Sequence, residues 1–286
     1  MKRRALMEVN IAVLFFGLAG LFARWIALPA LAIAFGRVLF SSAALGLFRL
    51  IGKRSFRVSG KDLGRLAAAG AVLALHWWAF LASIQRSTVA VGTLTFAAFP
   101  LFVTLLEPAV FHQRPSKKSV AAALVILLGV IVTVPAFSLE NRMFLGVLTG
   151  LLSALAYAVL TVMNKGFAAK HDGVLTAFYE QASAALLLLP LVLKTGSFRP
   201  ALPDLGLLLL LGVVTTALAH TLFISGLKTL PARTAGLISA LETVYGVLFA
   251  LLLLGEIPSL REILGCVLIL GAVLVSRLWE RGDEES

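Results

Sequence analysis

Polar sequence is scarce in this chain. Only 14% of the 286 residues are charged, and 60% are hydrophobic. No polar stretch is long enough to build a soluble domain, which excludes a soluble enzyme and a nucleic-acid-binding module. Cysteine is nearly absent: Cys266 stands alone, so no intrachain disulfide can form. The four histidines show no His-x-x-x-His spacing, and there is no H-E-x-x-H, nucleophile–base set or phosphate loop. The expectation is therefore a protein that is not an enzyme, with no cofactor, no metal and no ATP-binding module.

What is present is a succession of ten apolar stretches, each close to the roughly 20 residues that cross a hydrocarbon core of about 30 Å. They run over about 6–25, 28–51, 62–84, 88–111, 118–135, 144–168, 173–193, 204–227, 231–254 and 260–279. Proline marks the breaks at Pro29, Pro115, Pro135, Pro200, Pro203, Pro231 and Pro258, while Pro100 interrupts the fourth stretch. The first stretch follows Lys2–Arg4 but has no small-x-small cleavage site, so it reads as a retained helix. The fold class is an all-α membrane protein of ten transmembrane helices.

Basic residues orient the bundle. With the N-terminus inside, eighteen of the 25 Lys and Arg residues fall on the inner side, six fall on the outer side, and Arg37 lies within a span. That bias places both termini in the cytoplasm. The net charge of +11 then belongs to loops facing anionic headgroups.

The chain also matches itself at an offset of 143 residues. Ala34-Phe35 falls on Ala177-Phe178, Phe80 on Phe223, Leu94 and Ala97 on Leu237 and Ala240, and Pro115-Ser116 on Pro258-Ser259. Residues 1–140 and 141–286 are thus expected to form two five-helix repeats. Five is odd, so the second enters the membrane inverted. Inverted repeats belong to secondary transporters, whose substrate site lies near the midplane between the copies.

These residues resemble a known family. Ser87-Thr88-Val89-Ala90, Phe99-Pro100-Leu101-Phe102 and Gly129 in the first copy are similar to the repeat of the EamA family of the drug/metabolite transporter superfamily. So are Gly226-Leu227, Leu241-Glu242-Thr243-Val244-Tyr245, Gly255-Glu256, Gly265 and Gly271 in the second. The first copy has His112-Gln113 where the second has Gly255-Glu256, at a helix end, and a structural consequence is expected there. The resemblance implies export of amino acids or other metabolites across the bacterial inner membrane. In length and aromatic content the chain is most similar to aromatic amino acid exporters.

Charges inside the bilayer are functional candidates because each is costly unless paired or wetted. Arg37 lies about 13 Å into the second span at 1.5 Å per residue. Glu180 is its partner under the 143-residue shift. A structural ion pair and a substrate clamp both fit this relation. Glu242 heads a polar stripe with Ser239, Thr243 and Gly246. Further stripes are Ser153, Tyr157, Thr161 and Asn164, then Thr176, Tyr179, Glu180 and Ser183, then Thr93, Ala97, Pro100, Thr104 and Glu107. Such stripes must face the bundle interior. The candidate substrate-binding residues are Glu180, Glu242, His220, Tyr157, Tyr179, Tyr245, Trp77 and Arg37, bordering one cavity. His76 reads as a hydrogen-bonded core residue, and Glu107 as a group pairing near the cytoplasmic surface.

A single intramembrane cation against two carboxylates does not suit a phosphate carrier. It suits a zwitterion with an apolar side chain, and protons are the candidate coupling ion. The alternatives are export of cationic amphiphilic drugs and a non-transporting membrane scaffold.

Overall fold

The computed structural model describes residues 1–112, 117–133 and 141–285. Gln113, Arg114, Pro115, Ser116 and Pro135 lie outside the described residues, as do the side chains of Arg277, Trp279 and Arg281. Among the described residues the chain is all-α, with no strand. Eight helices are long and apolar enough to cross a membrane. In chain order α1 is Lys2–Trp25, α2 Ala30–Ile51, α3 Gly60–Arg86 and α4 Val89–Phe111. After α5, Lys117–Thr133, come α6 Arg142–Ala168, α7 Gly173–Thr195, α8 Leu202–Leu227 and α9 Ala232–Leu254. The last helix, α10, is Leu260–Glu285. The fifth has a shorter apolar run, Val120–Val132. It packs lengthwise against α10, where a Cβ on Gly129 would meet the Gly265 carbonyl at 3.1 Å.

Hydrocarbon gives helices no hydrophobic reason to associate, so close packing of small residues must hold them. Gly146 and Gly150 let α6 approach Ser87, Ser83 and Thr95, and the Ser83 hydroxyl donates to the Gly146 carbonyl at 2.6 Å. Gly70 brings α3 against Glu180 and Ser183 on α7, and Gly212 brings α8 against Arg37 and Phe40 on α2.

Irregular points recur at the 143-residue offset. The fourth helix breaks at Ala97–Ala98, with Pro100 in the first turn of its second part, and α9 breaks at Ala240. Among the described residues four have positive φ: Lys53 (48°), His112 (54°), Gly196 (59°) and Gly255 (67°). They form two pairs, 53 with 196 and 112 with 255. Each lies just past a helix end, where a left-handed residue lets the last carbonyls find N–H donors. Arg54 N–H donates to the Arg49 carbonyl at 2.9 Å, and Ser197 N–H to the Val192 carbonyl at 3.3 Å. The first copy builds with Lys53 and His112 what the second builds with glycine, so His112 keeps the turn at the cost of a strained backbone.

One register difference is absorbed locally. From Gly70 to Trp77 is seven residues, whereas from Gly212 to His220 is eight. A π-helical segment, Val213–Leu218, lies in that interval. A π turn accommodates one additional residue in a helix, which restores the alignment of His220 with Trp77.

Candidate functional site

The helix α2 carries Arg37 into the bundle with no exposed surface. Its guanidinium carbon lies 3.2 Å from the centre of the Trp77 ring on α3. Its Nε and Nη2 donate to Thr216 Oγ1 at 3.1 and 2.9 Å. Thr216 belongs to the π segment and donates in turn to the Leu211 carbonyl at 2.7 Å. The register device and the seat of the buried cation are therefore one element. Arg37 Nη1 has no protein partner.

Glu180 and His220, on α7 and α8, occupy the equivalent positions in the second half. His220 Nε2 donates to Glu180 Oε2 at 2.8 Å, with neither side chain exposed. Asn164 on α6 reaches the same oxygen at 3.5 Å. Glu180 Oε1, His220 Nδ1 and Asn164 Oδ1 have no protein partner. Arg37 and Glu180 do not pair with each other here, because each is taken by its neighbour on the next helix.

Tyr157 on α6 is the hub of an aromatic cluster. Its ring lies 4.6 Å from His76, 5.2 Å from Phe99, 5.6 Å from Phe96 and 5.8 Å from Phe223. Its buried hydroxyl is unpartnered. Arg37, Tyr157 and Glu242 are near enough to feel one another's charge, and Glu180 also acts on Tyr157. Glu242, just past the Ala240 break, is buried and has no ion pair among the described residues. His76 Nδ1 sits 2.8 Å from Ser153 Oγ, inside the core.

Two of the tyrosines lie elsewhere. The Tyr179 hydroxyl donates to the Phe56 carbonyl at 2.6 Å, in the connection between α2 and α3. That bond uses its polar atom for structure. Tyr245 is half-buried, packs its Cβ where Gly17 on α1 has no side chain, and stacks on Phe249 at 6.5 Å. Glu107 also has a definite task. Its two oxygens accept the N–H groups of Ala232 and Arg233 at 2.8 and 2.9 Å, capping the start of α9. Glu256 mirrors it, accepting the Val89 N–H at 3.3 Å at the start of α4. Beside these caps, Lys165 Nζ donates to the Leu230 carbonyl at 2.7 Å and Arg24 Nη2 to the Ser87 carbonyl at 2.6 Å. Arg24 also pairs with Glu256 at 3.2 Å.

Thr216 and Gln181 were not among the sequence candidates. Gln181 is buried with both amide atoms unpartnered, beside Glu180 in the chain. An uncharged amide within an apolar span was its available signal. Among the described residues, no three His, Cys, Asp or Glu side chains converge as for a metal.

The chain matches the EamA-like transporter family twice, over residues 4–134 and again over 144–278. It belongs to that family. It is a multi-pass membrane transporter, and the family is one of transporters, not enzymes. A small-molecule substrate and the surrounding lipid are its partners. It is 23% identical over 98% of its length to the uncharacterized transporter YxxF of Bacillus subtilis, 92% of which is covered. It is 26% identical to the pseudopaline exporter CntI of Pseudomonas aeruginosa, covering 86% of this chain and 87% of that one. The uncharacterized inner membrane transporter YicL of Salmonella typhimurium is 26% identical, with 98% and 97% covered. A solved structure described as a crystal structure of protein shares the fold with a TM-score of 0.79. Its identity is 20%, over 98% of this chain and 99% of that one.

Proposed function

We propose that this EamA-family protein exports amino acids, hydrophobic or aromatic ones, from the bacterial cytoplasm by alternating access. The observation that carries the reading is a buried set: Arg37 on the Trp77 ring with its Nη1 unpartnered, Tyr157 at the centre of an aromatic cluster with its hydroxyl unpartnered, and the buried acid Glu242. A zwitterion offers a carboxylate to Arg37 Nη1 and an ammonium to Glu242, and its side chain meets the aromatic cluster. Trp77, Tyr157, Arg37, Glu180, His220 and Glu242 form the site in this reading. Glu180 and His220, held together and sealed from solvent, are the exchange point for a coupling proton.

The proposed topology is ten transmembrane helices in two inverted repeats, residues 1–140 and 141–286, with both termini cytoplasmic. The double family match, the paired left-handed turns and the mirrored caps support it. So does the packing. The contact of α3 with α6 has its counterpart in α8 with α1, and that of α4 with α6 in α9 with α1. Three contacts, α2 with α7, α4 with α9 and α5 with α10, map onto themselves.

Export of cationic amphiphiles is the second reading, favoured by the buried acid Glu242, which has no ion pair among the described residues, in a bundle core that also holds an aromatic cluster. A panel of zwitterionic and cationic solutes in proteoliposomes, with and without a pH gradient, separates the two. Saturable flux of aromatic amino acids, driven by the gradient, is the expected result. Flux of cations alone selects the second reading, and no flux of either removes both.

A further inference from the structure

A cleft of about 510 Å³ opens on the flank of the bundle between α3, α4 and α6. It is away from the buried charged set and takes no part in the transport reading above. Its walls are apolar, with Leu106 and Phe111 on one side and Val159 and Met163 on the other. Its rim is polar, formed by Asp62, Arg65 and Lys170. From Val159 to Lys170 is eleven residues of helix and helix end, about 16 Å at 1.5 Å per residue. That is about the depth of one leaflet in a hydrocarbon core of about 30 Å.

Gly166 lines the cleft, and a Cβ built there would meet nothing within 4 Å. The position 143 residues earlier, Ala23, is buried under its neighbours. At the rim Arg65 is exposed and has no ion pair among the described residues. Lys170 is exposed and only 3.9 Å from Asp62 Oδ1, while His171 Nε2 lies 3.4 Å from Asp62 Oδ2. The single acid is thus shared, and Arg65 leaves the rim with an excess of positive charge.

We propose that this cleft holds an anionic phospholipid, with one acyl chain along α6 and the headgroup phosphate between Arg65 and Lys170. The chemistry at both ends of the cleft fits that occupant. An apolar trough one leaflet deep takes a chain, and two cations at the membrane interface take a phosphate diester. A zwitterionic phospholipid fills the same trough but places an ammonium beside the same cations.

The test uses the purified full-length protein in detergent, with lipid retention read by native mass spectrometry. Phosphatidylglycerol and phosphatidylcholine of identical chains are offered in competition. Phosphatidylglycerol is expected to bind preferentially. The double variant Arg65→Gln, Lys170→Gln should lower its affinity by about thirtyfold, at roughly 1 kcal/mol per basic residue, with little change for phosphatidylcholine. Gly166→Leu, whose Cβ would meet nothing within 4 Å, should reduce retention of both lipids. Inorganic phosphate should displace neither. Equal retention of the two lipids by the unaltered protein would overturn the proposal, as would an unchanged preference in the double variant. Displacement of the lipid by a transported solute would instead make the cleft a solute entrance and also sink it. None of these three results touches the mid-bundle site, whose flux assay is separate.

Discussion

The guanidinium of Arg37 rests 3.2 Å from the centre of the Trp77 ring, and the residues 143 places further on, Glu180 and His220, also touch, at 2.8 Å. Each half of the chain thus seats a buried charge against a ring on the following helix. The two seats differ in sign, so together they furnish a buried cation and a buried acid. An unpaired charge within a membrane span is costly, and both are held by neighbours, Arg37 by Trp77 and by Thr216 of the other half, and Glu180 by His220 and Asn164.

Removing the ring tests the first seat. A desolvated cation–π contact is worth about 2 kcal/mol or more. Trp77→Leu is expected to lower thermal stability in detergent and to reduce flux. Arg37→Lys should not rescue the flux lost in Arg37→Leu, because an ammonium cannot reach Thr216 through two nitrogens while stacking. Full rescue by lysine would show that charge alone matters.

The second seat responds differently. Breaking a fully buried pair by removing one partner costs about 3–5 kcal/mol, whereas replacing both with apolar groups is often neutral. Glu180→Leu should therefore destabilise the protein more than the double change Glu180→Leu, His220→Leu, while both abolish gradient-driven flux. Equal melting temperatures for single and double variants would mean that the pair is not coupled in the folded protein. The same comparison applied to Arg37→Leu and Glu180→Leu asks whether those two meet in another access state. Flux defects that simply add would remove that contact from the mechanism.

Much of the fold was legible in the sequence because lipid imposes long apolar runs and because repeats leave a shared offset. The Ala97–Ala240 match became a pair of helix breaks, and His112 and Gly255 became a pair of left-handed turns. Side-chain direction was less legible. Tyr179 and Glu180 are adjacent in one polar stripe, yet about 100° of helix rotation sends the tyrosine to Phe56 and the acid to His220. Thr216 lies four residues before His220, so helical spacing puts the two on one face, but that spacing does not disclose the π segment that seats the Thr216 hydroxyl against Arg37. Glu107 has the composition of a surface charge but caps a helix on another part of the chain, a contact that spacing does not disclose.

The left-handed turns give a direct stability prediction. Lys53→Gly should stabilise the protein by about 0.5–1 kcal/mol, because glycine adopts positive φ without the Cβ clash. Gly196→Ala, its counterpart in the second half, should destabilise. Thermal melts of the two variants in the same detergent check both signs.

At the basic end of the bundle, Arg49 Nη1 grips both oxygens of Asp172 at 2.8 and 2.9 Å. Burial pushes the Asp172 carboxyl up. The Arg49 hydrogen bond, the Leu175 N–H and the charges of Arg49 and Arg54 together outweigh burial and hold it below its ordinary value of 3.8. A lowered carboxylate contributes stability that is complete above the unfolded value and lost as pH falls through the folded one. Melting temperature should thus fall below about pH 4 in the unaltered protein, and less steeply in Asp172→Asn. Parallel pH profiles would contradict the pairing.

The most direct measurement is counterflow of labelled aromatic amino acid in proteoliposomes carrying the unaltered protein or Glu242→Gln. Glu242 is buried and has no ion pair among the described residues, and the amide substitution keeps the volume and removes only the charge. Losing a charged hydrogen bond of about 1.5–3 kcal/mol predicts a counterflow rate at subsaturating substrate lowered by about ten- to a hundredfold, with folding and insertion intact. Unchanged counterflow by a well-folded Glu242→Gln protein, over the full range of substrate concentrations, would contradict the account.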